Sequence, residues 1–190
     1  MSENLNEYVI VAFYESEDAA DKAAKALMGW DEANDDIKLG SIGRITLKKE
    51  SDKEDKVEIA RYGTSNAGRG AVIGSVLGFV AAGVTGGLSL LVGAVGGGAI
   101  GGVVGKLDKN TFGLSDSALE AIKAHLETGG AGLVVLCDDF EVEPTMKELE
   151  KEGGSAQSFG LSTKVLKAMH DSAVQEGVWD MQTKNIERFV

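Results

Sequence analysis

Residues 8–14, "YVIVAFY", form an unbroken run of β-branched, aromatic and small apolar side chains. The run is too short for a helix and rich in strand formers, so it predicts a buried strand. The period changes at Ser16. In "SEDAADKAAKALMGW" a serine stands where an N-cap belongs, acidic residues fill the first turn, and Ala20, Ala23, Ala24, Leu27 and Met28 recur at helical spacing. This predicts a helix ending near Gly29. "IKLGSIGRITLKKE", with Ile37, Leu39 and, after a glycine break, Ile45 and Leu47, and then "VEIARYG" alternate apolar and polar positions on either side of the charged turn "SDKEDK". They predict two antiparallel strands joined by a solvated loop.

Further along, "LSDSALEAIKAHLETGG" offers Ser115 or Asp116 as a cap, an apolar face of Leu119, Ile122, Ala124 and Leu126, and Gly129 as a C-cap. "AGLVVLCDDF" is a fourth strand. The order β-α-β-β-insert-α-β predicts an α+β fold of the ferredoxin-like split βαβ kind, with both helices on one face of a four-stranded antiparallel sheet and the other face in need of cover. Beyond it, "EVEPTMKELEKEGG" starts a short helix after Pro144, and Leu161, Val165, Leu166, Met169 and Val174 form a helical stripe. The chain thus divides into residues 1–66 and 108–140 as the two halves of the body, 67–107 as an insertion, and 141–190 as a helical tail. The tail covers the open sheet face or reaches a neighbouring copy.

The insertion is "GRGAVIGSVLGFVAAGVTGGLSLLVGAVGGGAIGGVVGK", residues 68–106, uncharged between Arg69 and Lys106 and holding about half of the chain's 26 glycines. Gly70, Gly74 and Gly78, continued by Ala82, fall every fourth residue, as do Gly93, Gly97, Gly101 and Gly105. Every fourth residue is one helix face, and a face without side chains lets a second backbone approach closely, the small-xxx-small device of membrane helices. In water each such glycine costs about 1 kcal/mol relative to alanine. Isolated helices are therefore disfavoured by several kcal/mol unless tight packing or a non-aqueous setting offsets the cost. With a break at "GVTGG", residues 83–87, the segment reads as a helical hairpin that oligomerises through its glycine faces.

Its arms, roughly 69–82 and 88–105, come to about 21 and 27 Å at the rise of an α-helix, short of a hydrocarbon core of about 30 Å. Positive charge flanks both ends, at Arg61 and Arg69 before the run and Lys106 and Lys109 after it, as for a hairpin with both feet in the cytoplasm. Insertion into lipid and assembly without lipid both remain open. A phosphate-binding loop is excluded: the glycines persist far past one turn, no GKS or GKT occurs, and no charge follows until Lys106.

Composition narrows the partners. Thirty Asp and Glu against 19 Lys and Arg give a formal charge of −11, which repels nucleic acid. Cys137, the single cysteine, lies in an apolar run and reads as a buried strand residue, in keeping with a reducing compartment. "MSENLNEY" lacks the basic and apolar regions of a secretory signal, so the chain is read as cytoplasmic, on the inner membrane's cytoplasmic face where the hairpin meets lipid. His125, between Lys123 and Glu127, reads as part of a solvated face. No histidine pair, cysteine pair or calcium-loop rhythm is present, so neither a metal nor a cofactor is assigned.

The arrangement resembles a family of bacterial and archaeal proteins of unknown function, commonly described as predicted membrane proteins, in which a ferredoxin-like domain is interrupted by a glycine-zipper hairpin. "YVIVAFYESEDAADKAAKAL", "GRGAVIGSVLG", "VGAVGGGAIGGVVGKL" and "LETGGAGLVVL" carry the resemblance, over about residues 7–140. It implies self-association and a membrane role, and it supplies no reaction and no catalytic residues. The expectation is a non-enzymatic homo-oligomer gathered through the hairpin, with membrane lipid as a further partner. The alternative is a soluble dimeric α/β barrel, two sheets face to face around a small apolar ligand or cofactor. Phe159, Trp179 and Met181 would line that cavity, and His170, between Met169 and Asp171, would serve as an axial ligand.

Overall fold

The computed structural model describes residues 7–37, 39–49, 56–62, 77, 116–163 and 166. Strand β1 (Tyr8–Tyr14) leads into helix α1 (Glu17–Ala33), whose N-cap Ser16 accepts a hydrogen bond from the Ala19 N–H at 3.2 Å. Ala20, Ala23, Ala24 and Leu27 are buried as their spacing predicts. The helix does not stop at Gly29. Gly29 is exposed with nothing where a Cβ would point, and the partly buried Trp30 prolongs the apolar stripe beyond it. Polar groups end the helix instead: the Asn34 side-chain amide donates to the Trp30 carbonyl at 2.6 Å, and the Asp31 carboxylate accepts the Leu39 N–H at 2.9 Å.

Strands β2 (Ser41–Lys48) and β3 (Lys56–Tyr62) form the expected antiparallel pair, with Ile45 opposite Ile59. Helix α2 (Asp116–Glu127) closes at Gly129, which takes the left-handed conformation at φ +89° and donates its N–H to the Leu126 carbonyl at 3.1 Å. Its buried face is Ala118, Leu119, Ile122 and Leu126; Ala124 is exposed, one of the expected positions that falls off the stripe. Strand β4 (Ala131–Cys137) is buried throughout, its side chains divided between apolar layers on the two faces of the sheet.

The region read as a wholly helical tail contributes to the sheet. After a 3₁₀ turn at Asp139–Glu141, helix α3 (Val142–Lys151) leads through Gly153, at φ +84°, into strand β5 (Ser155–Gly160). Pro144 lies in the first turn of α3, where a missing N–H breaks no helical bond. Beyond β5, Leu161 is buried and Leu166 packs against the core, its N–H bonded to the Ser162 carbonyl at 3.0 Å, so the first positions of the predicted stripe dock in cis.

The five strands form one antiparallel sheet in the order β3-β2-β4-β1-β5. Two features differ from expectation. Strand β4, rather than β3, lies between β1 and β2, and the two helices read first occupy opposite faces. Because side chains alternate across a strand, Ile10, Ala12, Ile42, Leu133 and Val135 meet α1 and Leu149 of α3, whereas Val9, Val11, Ile45, Val134 and Leu136 meet α2. Both faces are covered, and the core is two apolar layers with the sheet between them.

Candidate functional site

Edge strand β3 ends at Tyr62 and α2 begins at Asp116, so the glycine-rich segment lies in the chain between an edge strand and a helix. Gly70, Gly74, Gly78, Ala82, Gly93, Gly97, Gly101, Gly105, Arg69, Lys106, Lys109, His170 and Trp179 lie outside the described residues. Leu77 does not.

Leu77 is helical, 0 % exposed, and part of the apolar layer beneath α2. Its seat is Gly43 on β2. A Cβ at position 43 would stand 2.4 Å from Leu77 Cδ1 and 3.2 Å from Cδ2, with the Ala60 carbonyl oxygen 3.3 Å away on the other side. Any side chain there collides with the leucine, so the glycine break in the β2 pattern is a socket. Ile45 and Ile122 belong to the same layer. One residue of the glycine-rich segment is thus held by the body rather than by lipid or another copy.

The second feature pins the strand from which that segment departs. Residues 42, 44 and 46 of β2 face α1, and the inward charge of Arg44 is met there by carboxylates. Arg44 Nη1 binds Asp21, Nη2 lies 3.3 Å from Glu17, and the Tyr62 hydroxyl donates to the same Asp21 carboxylate. Lys48 bridges Glu17 at 2.7 Å and Glu58 at 3.6 Å. Burial opposes the charge on Asp21, but the hydrogen bonds from Tyr62 and Arg44 outweigh it and hold the carboxyl below its ordinary range. Burial, followed by the bond to Asp21, pushes the Tyr62 phenol well above its own. Arg44 is paired with two carboxylates of α1 and Tyr62 stays protonated, so the cluster offers no nucleophile. It staples α1 to β2 and β3.

Among the described residues, His125, Cys137 and Glu141 are similarly occupied. His125 is not on a solvated face: its Nε2 donates to the Tyr14 carbonyl at 2.8 Å, and its ring packs 5.0 Å from that of Phe13. A small apolar environment beside a strand explains the difference, since Gly130 leaves the ring its space. Burial, then Glu141, Asp138 and Asp139, push the Cys137 thiol up to about 12, so the buried thiol is not a thiolate at neutral pH. Glu141, 1 % exposed, accepts the Asp138 N–H at 2.8 Å. No group of three or more His, Cys, Asp or Glu side chains suited to a metal occurs among the described residues.

With the geometry in place, comparison with known proteins adds one match. The family described as "Protein of unknown function (DUF1269)" matches residues 67–174. The chain belongs to this family. The DUF1269 region takes in the glycine-rich segment, α2, β4, α3 and β5, and leaves β1 to β3 outside. The resemblance read from the sequence was centred further toward the N-terminus and stopped near residue 140. No curated protein and no solved structure matches.

No helix among the described residues is long and apolar enough to cross a membrane. The face-to-face barrel considered as an alternative requires a bare sheet face. Val9, Val11, Val134 and Leu136 on one side and Ile10, Ala12, Leu133 and Val135 on the other are each at most 1 % exposed. Phe159 packs on the α2 layer instead of lining a cavity. Sequence reasoning missed the Gly43 socket, the Arg44 network and β5. The first two had signals: a glycine interrupting an alternating strand, and a charge at an inward position of it.

Proposed function

We propose that this DUF1269 protein is a non-enzymatic, self-assembling protein whose copies gather through a glycine-zipper helical hairpin at residues 67–107. The supporting observation is architectural. Five strands pair and both faces of the sheet are buried, so the four-residue glycine faces of Gly70, Gly74, Gly78 and Ala82 and of Gly93, Gly97, Gly101 and Gly105 are not needed to complete the sheet. A bare backbone face costs stability in water unless another backbone covers it, and a second copy offers an identical face. Leu77 against Gly43 ties the segment to the body at that one position.

The body itself is read as a permuted ferredoxin-like sheet. Taken in the order β4-α3-β5, then β1-α1-β2, the strands stand as β2-β4-β1-β5 with α1 and α3 on one face, and β3 and α2 are additions at the edge and on the reverse. The acidic bodies remain hydrated in the cytoplasm, and Arg69, Lys106 and Lys109 flank the hairpin where it meets anionic lipid on the inner membrane's cytoplasmic face.

Gly97→Leu and Gly101→Leu push facing backbones apart and leave the sheet untouched. Both variants are expected to sediment as smaller particles with an unchanged far-ultraviolet spectrum. An unchanged sedimentation profile for both would refute assembly through the hairpin. Carbonate-resistant association with vesicles of anionic phospholipid separates the two settings: retention on the vesicle places the hairpin in lipid, and full release leaves a soluble assembly.

A further inference from the structure

Leu77 has two places in which to bury its side chain, and it cannot occupy both. It belongs to a segment without charge between Arg69 and Lys106, of the composition that lipid accepts. Yet it is helical and 0 % exposed in the layer between the sheet and α2. The body makes its seat. Gly43 leaves a space on β2 that a Cβ would close, standing 2.4 Å from Leu77 Cδ1. The other members of the layer hold sheet and helix together without it: Ile45, Val134 and Leu136 share it with Leu119, Ile122 and Leu126 of α2. Seat and occupant also come from different parts of the chain, since Leu77 lies within the family match at residues 67–174 and Gly43 outside it.

We propose that the contact of Leu77 with Gly43 is a latch that holds the glycine-rich segment back from lipid, so that membrane entry begins with Leu77 leaving its seat. The inference rests on the lipid setting of the function proposed above. A side chain enclosed between the sheet and α2 does not reach a bilayer, so any step that carries position 77 into lipid must first empty the seat. Emptying it leaves a void in a close-packed layer, and the atoms lining a void forfeit the contacts that filled it. That cost opposes entry. Gly43 sets its size. Without a side chain at 43, the leucine is what fills the space; with one, the docked state is overpacked and the undocked state is favoured. The latch thus makes the stability of the body and the lipid affinity of the segment two sides of one equilibrium, which a ligand or surface shifts only by favouring one state over the other.

The test uses the full chain and flotation with vesicles of phosphatidylcholine and phosphatidylglycerol. Gly43→Val occupies the seat, and the added side chain fills part of the void that the leucine leaves, so the far-ultraviolet spectrum is expected to stay unchanged. Partition onto the vesicles is expected to exceed that of wild type by about tenfold, within the range set by one overpacked core contact. The opposite perturbation is Gly43→Cys combined with Leu77→Cys. A Cβ at 43 lies beside a methyl carbon two bonds from the Leu77 Cβ, within reach of a disulfide, and the native Cys137 is buried. Oxidised with copper phenanthroline, this variant is expected to stay off the vesicles, and reduced, to bind at least as well as wild type. The latch is overturned by Gly43→Val binding no better than wild type, by an oxidised pair that binds as well as the reduced one, or by a pair that does not oxidise. Should Gly43→Val unfold, the comparison of oxidised with reduced pair decides alone. Binding by no form at all, Gly43→Val and the reduced pair included, overturns the lipid setting itself and the latch with it.

Discussion

If Gly43 exists to seat Leu77, the two positions must be energetically coupled. Leu77→Ala removes a side chain that is 0 % exposed and lies in the layer beneath α2, and such truncations cost about 2–5 kcal/mol. Gly43→Ala places a Cβ 2.4 Å from Leu77 Cδ1. The leucine methyl must shift within a buried layer, so the clash resembles core overpacking, at about 1–3 kcal/mol. In the double variant the offending methyls are gone and the new Cβ occupies part of the space they leave. Its cost is therefore expected to fall short of the sum of the singles by about 1–2 kcal/mol, within the range for residues in contact. A domain with about 5–15 kcal/mol of stability stays folded through either single change. Urea unfolding followed by far-ultraviolet circular dichroism, with equal slopes for the four proteins, yields the cycle. The reasoning is refuted by additivity within about 0.5 kcal/mol, or by Leu77→Ala behaving as a surface substitution.

Other features give independent expectations. The Tyr14 hydroxyl donates to the buried Leu149 carbonyl at 3.1 Å, and the Gly154 N–H satisfies the same carbonyl at 3.1 Å. Tyr14→Phe therefore leaves no orphaned acceptor and should cost only about 1 kcal/mol in urea unfolding. Asp21 titrates below its ordinary value in the folded protein, so its ionised form contributes stability that is present above the unfolded pKa and lost as pH falls through the lower, folded one. The stability gap between wild type and Asp21→Asn is expected to narrow as pH drops below about 4; an unchanged gap would show that the Tyr62 and Arg44 bonds do not favour the carboxylate. Cys137, buried and with its thiol pushed up to about 12, is expected to ignore a disulfide reagent at pH 8 until the protein is unfolded, and rapid labelling of the native chain would contradict that burial.

The elements with strong periodicity were legible from their residues. Strand β1, the buried face of α1, the β2–β3 pair, α2 with its Gly129 cap and β4 all follow from apolar runs, apolar spacing and capping chemistry, because each signal lies within the element's own residues. The arrangement of those elements was less legible. Nothing in α2 itself says which face of the sheet it covers: its stripe of Leu119, Ile122 and Leu126 would suit either. The choice depends on β4 entering between β1 and β2, through pairings that join residues 85 to 129 positions apart in the chain. Strand β5 escaped for the opposite reason. "SAQSFG" lies at an edge, has most of its side chains exposed, and carries no alternation, so its strand character comes from the β1 backbone beside it.

The coupling of body to insertion combines the two cases. Gly43 was visible as an interruption in an alternating strand, whereas nothing singled out Leu77 from Ile73, Phe79, Leu88, Leu90, Leu91 and Ile100 of the same segment. A glycine in the middle of a strand weakens it unless something needs the space, and a leucine among glycines spaced four apart is unsuited to the close backbone approach that such spacing would permit in a helix. Each residue is locally unfavourable, and the packed Leu77–Gly43 contact gives a reason for both. The same logic applies to Arg44, an inward charge that makes sense only once α1 brings Glu17 and Asp21 over it. Positions that break a local rule therefore mark where one element is fastened to another. In this chain two of them, Gly43 and Arg44, are adjacent on β2 and face opposite sides, so that a single strand holds α1 on one face and Leu77 on the other.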